Sequence, residues 1–335
     1  RLDAAGLPAA ALEDRQKLAQ VLRSARAQAA DPTDDSPVYQ FLDYLPRTEV
    51  PHEKTDTFRD QVKYSEEAKR ALAAAREQKT AAAVDEALRA LRPLPDLEAA
   101  VLVDAMLSYR AVSAWTSMID FVGRLPAEIR ETVLVQEQLG FALNRAGRGD
   151  EAEKVLVELV KQRGASPETL GILGRVYKDR WERAIKAGDL EEAAAHLDRA
   201  IDTYVSGFEA DFRDAYPGVN AVTLMEIKAP PDPRREELHP IIRYAVLRKM
   251  ASKRPDYWDH ATLLELAALR RDAQETSAQL GRSLAAMRET WEPETTARNL
   301  SLIRKARAAR NEPFPPADDA ERKLLRKAGK DETLA

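Results

Sequence analysis

The sequence predicts an all-α protein, a right-handed α-solenoid of paired helices with a short irregular N-terminal segment. Three observations predict it. Only 13 of the 335 residues are glycine, and Ala, Leu, Glu and Arg, all strong helix formers, dominate window after window. From residue 65 to residue 310 apolar residues recur at helical spacing, with no alternating strand pattern among them. Short turns join these stretches, as in a stacked helical array.

Residues 8–29 place Leu12, Leu18, Val21 and Leu22 on one side of a first helix, and DPTDDSP ends it. VYQFLDYLP (38–46) is short, aromatic and apolar, which suits a strand or a packed extended segment. Residues 46–60 read as an irregular linker. Helices are then expected at 65–78, 80–92, 96–110, 113–124, 128–146, 149–163, 167–187 and 189–210. They continue at 217–227, 234–252, 256–270, 273–288 and 293–310. The three prolines of NEPFPPADD (311–319) close the run, and a charged tail follows. The expected organisation is an N-terminal helix and linker over 1–64, a repeat domain over 65–310 and a flexible Pro-rich, charged tail over 311–335.

The repeat itself is visible in two segments. LGFALNRAGRGDEAEKVLVEL (139–159) aligns with LGRVYKDRWERAIKAGDLEEAAAHLDRA (173–200). Leu139-Gly140 recurs as Leu173-Gly174 after 34 positions, the tetratricopeptide period. Each glycine leaves room for the second helix of its pair, and Leu143 and Tyr177 take the large position three residues on. In the second helices Ala152, Leu156 and Leu159 correspond to Ala193, Leu197 and Ala200, with Gly147 and Gly188 at the turns. These matches are offset by 41, so the second unit carries seven extra residues, about two helical turns. They fall in YKDRWERAIKAG and lengthen its first helix. AVDEALRAL (83–91) resembles another second helix, and Tyr109 lies 34 positions before Leu143.

Composition excludes several functions. The net charge of -4, from 52 basic and 56 acidic side chains, argues against a chain that coats nucleic acid. With no cysteine, disulfides, thiolate nucleophiles and cysteine metal sites are absent; the expected setting is cytoplasmic. No run approaches the roughly 20 apolar residues of a membrane span. His52, His196, His239 and His260 include no pair at i+3 or i+4 and no HExxH, so no metal site is expected. No GxSxG surrounds a serine, and no cofactor motif is present. The carboxylates of GDEAE (149–153) and DLEE (189–192) sit at helix starts, where they suit the macrodipole. The locally basic RYAVLRKMASKR (243–254) and RKARAAR (304–310) read as solvent-exposed helix faces. The polar KTDTFRD (54–60) reads as a structural loop. Trp115, Trp181, Trp258 and Trp291 read as packing anchors between helices.

The segments GRVYKDRW (174–181), AIDTYVSGFEADF (200–212) and YPGVNAVTLMEI (216–227) together resemble the TRAFs-binding family. This is the tetratricopeptide-like central regulatory region of the apoptosis signal-regulating kinases. DSPVYQFLDYLP, KTDTFRDQVKYS, DYWDHATLLELAAL and WEPETTARNLSLIRKAR resemble its bacterial branch. The residues carrying the resemblance or the repeat are Leu139, Gly140, Gly174, Tyr177, Gly188, Tyr204, Ser206-Gly207, Phe208, Pro217, Gly218 and Asn220. The resemblance implies a scaffold or regulatory module that gates a linked effector domain, with residues 1–64 the remnant of an upstream α/β domain. It also keeps an alternative open, the helical part of a nucleoside hydrolase-like enzyme whose active site lies upstream. No kinase signature is present, so the expectation is a non-enzymatic chain with neither cofactor nor metal.

Within YPGVNAVTLMEI a single glycine without a following Lys-Ser or Lys-Thr is no phosphate loop. Pro217 suits a first helical turn, where its missing N–H costs nothing. Gly218 permits close approach to the preceding helix. Val219, Val222 and Met225 form a stripe expected to pack on Tyr204 and Phe208.

The first helix of each tetratricopeptide pair lines the concave face. With Gly140 and Gly174 in register, the facing residues are Glu137, Phe141, Asn144 and Arg145, then Gly171, Arg175, Lys178 and Asp179. Arg145, Arg175 and Lys178 predict a protein or peptide partner with an acidic segment or terminal carboxylate.

Overall fold

Helix-forming sequence is expressed as helix in the computed structural model, which describes residues 52–252 and 254–330. The expected helix at 8–29 and the segment at 38–46 lie outside them. By contacts the chain divides into two units, Arg1–Glu67 and Ala68–Ala335. The first helix among the described residues is α1 (His52–Glu77). Residues 52–60, expected as irregular linker, are therefore helical.

The second unit continues with α2 (Ala81–Arg89), a 3-10 turn at Leu94–Asp96, α3 (Ala99–Ala111), α4 (Trp115–Gly123), α5 (Ala127–Arg130) and α6 (Val133–Arg145). Then come α7 (Gly149–Arg163), α8 (Pro167–Ala187), α9 (Leu190–Ala210), α10 (Ala215–Ile227) and α11 (Arg234–Ser252). The described residues continue with α12 (Tyr257–Leu269), α13 (Ala273–Ala286), α14 (Trp291–Ala309) and α15 (Pro315–Lys327). No strand occurs among the described residues.

The helix starts follow local chemistry. Ser166, Asp189 and Asp272 each accept from the backbone N–H three residues on, and Asp256 with Asp259 forms a reciprocal capping box. Asp214 accepts from the Tyr216 N–H, and Pro217 follows in the first turn of α10. The single helix expected at 128–146 is broken into α5 and α6. Thr132 between them is extended, its hydroxyl donates to the Ile129 carbonyl at 2.7 Å, and the Gln136 side chain donates to the Arg130 carbonyl at 2.8 Å. Side chains thus satisfy the carbonyls that the interrupted helix releases.

Helices pack in pairs, α6 on α7, α8 on α9, α10 on α11, α12 on α13 and α14 on α15. Glycines set the distance within two pairs. A Cβ on Gly140 would stand 2.7 Å from Leu156 of α7, and one on Gly174 would stand 2.8 Å from the Tyr204 ring of α9. Val219, Val222 and Met225 join Tyr204 and Phe208 in one buried cluster that runs from α6 to α12. Each fully buried Leu in it, such as Leu156, contributes roughly 1.5–3 kcal/mol of transfer free energy. A second cluster gathers Leu264, Leu280, Leu300, Ile303, Ala317, Ala320 and Leu324.

That second cluster corrects the expected flexible tail for residues 315–327. Residues 315–327 form α15, which places Ala317, Ala320 and Leu324 on one apolar face against α13 and α14. Pro315 and Pro316 open the helix rather than end the fold.

The first helices of the pairs stack in order, α6 on α8, α8 on α10, α10 on α12 and α12 on α14. In a regular array each unit touches only its neighbours. Here α14 also reaches past α12 to α10, and its Asn299 meets Lys178 of α8. The stack is closed on itself at this end, and that closure decides which facing positions see solvent.

Candidate functional site: an arginine and aromatic face at the start of the stack

The facing positions of α6 and α8 have two different fates. On α8, Lys178 is 1% exposed, and its Nζ donates to Asn299 Oδ1 at 3.0 Å. The Asn299 amide donates in turn to both carboxylate oxygens of Glu265, at 3.2 and 3.1 Å. Burial pushes the Lys178 ammonium down to about 8 and the Glu265 carboxyl up to about 7. This relay ties α8, α12 and α14 together and leaves Lys178 no access to a partner. Gly171 is also buried; a Cβ there would strike the Tyr216 ring. On α6, Glu137 is buried and accepts the Thr169 hydroxyl at 2.6 Å.

The other facing residues stay at the surface or partly so. Asp179 collects the Asn144 amide and Arg175 Nε, each at 2.8 Å, with Arg298 of α14 at 3.9 Å. Arg298 also pairs with Glu182. Arg175 and Arg298 are thus neutralised by carboxylates in place. Asp179 raises Arg175 above the usual guanidinium value although burial works against the charge.

One turn away the arrangement changes. Trp115 at the start of α4 and Phe141 of α6 meet edge to face, with ring centroids 5.5 Å apart. The Arg110 guanidinium lies 4.7 Å from the Phe141 centroid. Arg145 lies 5.6 Å from the Trp115 ring and 6.0 Å from the Phe141 ring. These are cation–π distances. Arg110 also donates to Gln138 Oε1 at 2.7 Å. Neither Arg110 nor Arg145 has a carboxylate partner within ion-pair distance among the described residues, whereas Arg175 and Arg298 do. Burial, then the nearby Arg175 charge, holds Arg145 below the usual guanidinium value. The face thus offers two aromatic rings and two cations without counter-ions, an arrangement suited to acidic, partly apolar chain.

Phe141, Asn144, Arg145, Arg175 and Asp179 were expected on the facing side; Arg110 and Arg298 were not named, and Trp115 was read as a packing anchor. The signal for Arg110 was present: Tyr109 and Leu143 are 34 apart, so Arg110 shares the register of Asn144. Arg298 carries no such signal, because its place depends on how α14 folds back. The basic segment 304–310 turns inward. Arg307 is buried and donates to Glu226 at 2.8 Å and to the Ala268 and Leu269 carbonyls. Trp181 packs in the main core, whereas Trp291 is exposed beside Trp258.

The histidines are scattered. His196 contacts Glu192, His239 the Leu266 carbonyl and His260 Gln279. Among the described residues no group of three or more His, Asp or Glu could hold a metal ion. No helix among them is long and apolar enough to cross a membrane.

The model of the MAP3K TRAFs-binding domain matches residues 10–322. The chain belongs to that family. Its paired helices and its family are those of a protein-interaction module. No curated protein matches the chain. Among solved structures it is similar to a thermophilic TPR protein of Thermus thermophilus, at 13% identity and a TM-score of 0.45, over 61% of this chain and 99% of that one. A tetratricopeptide repeat protein of Parabacteroides merdae matches at 13% identity and a TM-score of 0.42, over 82% and 93%. The TPR2AB domain–pHSP90 complex of yeast Sti1 matches at 11% identity and a TM-score of 0.25, over 79% and 98%. The assignment rests on the family match and on the helix pairs themselves.

Proposed function

We propose that this TRAFs-binding-family chain is a non-catalytic interaction module that grips an acidic protein segment and thereby gates or assembles a linked effector domain. The setting is cytoplasmic. The observation that carries the partner chemistry is the pair Arg110 and Arg145, stacked on Phe141 and Trp115 without carboxylates of their own. Glu137, Asn144, Arg175, Lys178 and Asp179 support this face from behind. Their charges and hydrogen bonds are met inside the protein.

The test is a pull-down with the chain as bait, with partners identified by mass spectrometry and the capture repeated after Arg110 and Arg145 are both changed to Glu. The expected result is loss of the partner from the double variant with helical content retained, since no ion pair is broken. A partner captured equally by both forms would remove this face from the proposal. Lys178 is left unchanged because a glutamate in its buried place would unfold the stack.

A further inference from the structure

A second polar recess lies at the opposite, C-terminal end of the stack and belongs to no repeat groove. It is a cavity of about 390 Å³ where the end of α10, the start of α11, the end of α12 and Arg307 of α14 converge. That volume lies within the range of small-molecule sites. Five guanidiniums (Arg235, Arg270, Arg271, Arg307 and the adjoining Arg310) stand there against the three carboxylates of Glu226, Glu236 and Glu312.

Most of these charges are already used. Arg307 spends its donors on Glu226 and two carbonyls. Arg310 spends its own on Glu226, at 2.6 Å, on the Glu226 carbonyl and on Glu312. Arg271 pairs with Glu312 at 2.9 Å. Three groups are not fully used. Arg270 has no ion pair among the described residues. Arg235 Nε pairs with Glu236 Oε1 at 3.1 Å, while its buried Nη1 stands 3.3 Å from Glu226 Oε2 without a hydrogen bond. His239 Nδ1 is buried without a partner. A buried polar atom left unmatched is costly, and natural proteins rarely leave two in one cavity wall.

The state of His239 follows from its other nitrogen. Nε2 lies 2.8 Å from the Leu266 carbonyl, which can only accept, so Nε2 carries the proton. Burial, then the Arg270 and Arg243 charges, lowers the imidazole below its ordinary value. The neutral ring is favoured, and Nδ1 is a buried acceptor on a residue that lines the recess.

We infer that this recess binds a small organic oxyanion bearing a neighbouring hydroxyl, its anionic group on Arg235 and Arg270 and its hydroxyl donating to His239 Nδ1. Phosphate monoesters and hydroxycarboxylates share this chemistry. Forked guanidinium donors suit either oxyanion, and the histidine selects for the adjacent donor. The inference does not rest on the acidic-segment face, since the two sites share no residue.

The experiment is calorimetric titration of the full chain at low ionic strength with glycerol 3-phosphate, malate, inorganic phosphate and chloride. It is repeated with Arg270→Ala and Arg235→Gln, and His239 is followed by imidazole nitrogen NMR. Saturable binding of glycerol 3-phosphate or malate is expected, about tenfold weaker in either variant, with a shift of the His239 Nδ1 resonance. Tighter binding of glycerol 3-phosphate assigns the phosphate class, and tighter binding of malate the carboxylate class. Arg270 is exposed, so its variant retains the fold and reads binding alone. Absence of saturable binding, equal binding by wild type and both variants, or a response to chloride matching that to the organic anions would overturn the assignment.

Discussion

Glu265 and Lys178 show what one buried pair does to the whole protein. Burial raises the Glu265 carboxyl to about 7 from an ordinary 4.5. The folded state therefore favours the neutral acid. Stability from this group is fully present below pH 4.5 and is lost as pH rises through 7, on the order of 3 kcal/mol for a shift of this size. Lys178, lowered to about 8 from 10.5, acts in the opposite window; stability is regained as pH rises from 8 towards 10.5. Glu265→Gln keeps an acceptor for Asn299 and removes the titration. Urea denaturation at several pH values should show wild type losing stability between pH 4.5 and 7 and the variant staying flat there. An equal slope in both would exclude Glu265 as its source. Gly174 is the other residue-scale test. An alanine there puts a Cβ 2.8 Å from the fully buried Tyr204 ring, and such overpacking costs about 1–3 kcal/mol. Gly174→Ala should lower the midpoint of thermal unfolding, and an unchanged midpoint would mean the helices can separate freely. The tight site at Gly174 was legible as a repeated Leu-Gly pair; the burial of Lys178 was not, since its partner is 121 residues away.

At the scale of elements, most of the helices were legible because local signals agree with their packing. Asp189, Asp256 and Asp272 cap helices whose apolar stripes then face the core. Two of the three misreadings have a visible physical cause. The break between α5 and α6 depends on Thr132 and Gln136 side chains replacing backbone bonds, which periodicity does not register. α15 was hidden by prolines that look like a terminator but occupy a helix start. Its Leu324 is fully buried, so Leu324→Ala should cost about 2–5 kcal/mol. Urea denaturation monitored by circular dichroism measures this, and a cost near zero would show that α15 adds nothing to the stack.

For the whole molecule, the fold-back of α14 onto α10 and α8 is the organising event. In an open array a change in one unit is felt by its neighbours alone. Here Asn299→Ala removes the acceptor of Lys178 and the donor to Glu265 together. Hydrogen exchange should then accelerate in α8 as well as in α12 and α14. Acceleration confined to α14 and its sequence neighbours would mean the relay does not couple the two halves. The same closure explains why the partner-binding face lies at Arg110, Trp115, Phe141 and Arg145, ahead of the point where α14 fills the inner row.

The sequence by itself determined most of the helices, the 34-residue register, the family and the residue types on the facing side of α6 and α8, because each depends on spacings within a few turns or one repeat. Tertiary structure alone decided which facing charges are free. Arg145 and Lys178 obey the same local rule, yet Arg145 stacks on half-buried rings at the surface while Lys178 is sealed beneath Asn299. The difference comes from α14, whose path is set by the sum of apolar contacts with α10, α12 and α15. Such a sum of weak, long-range contacts leaves no periodic mark in the chain.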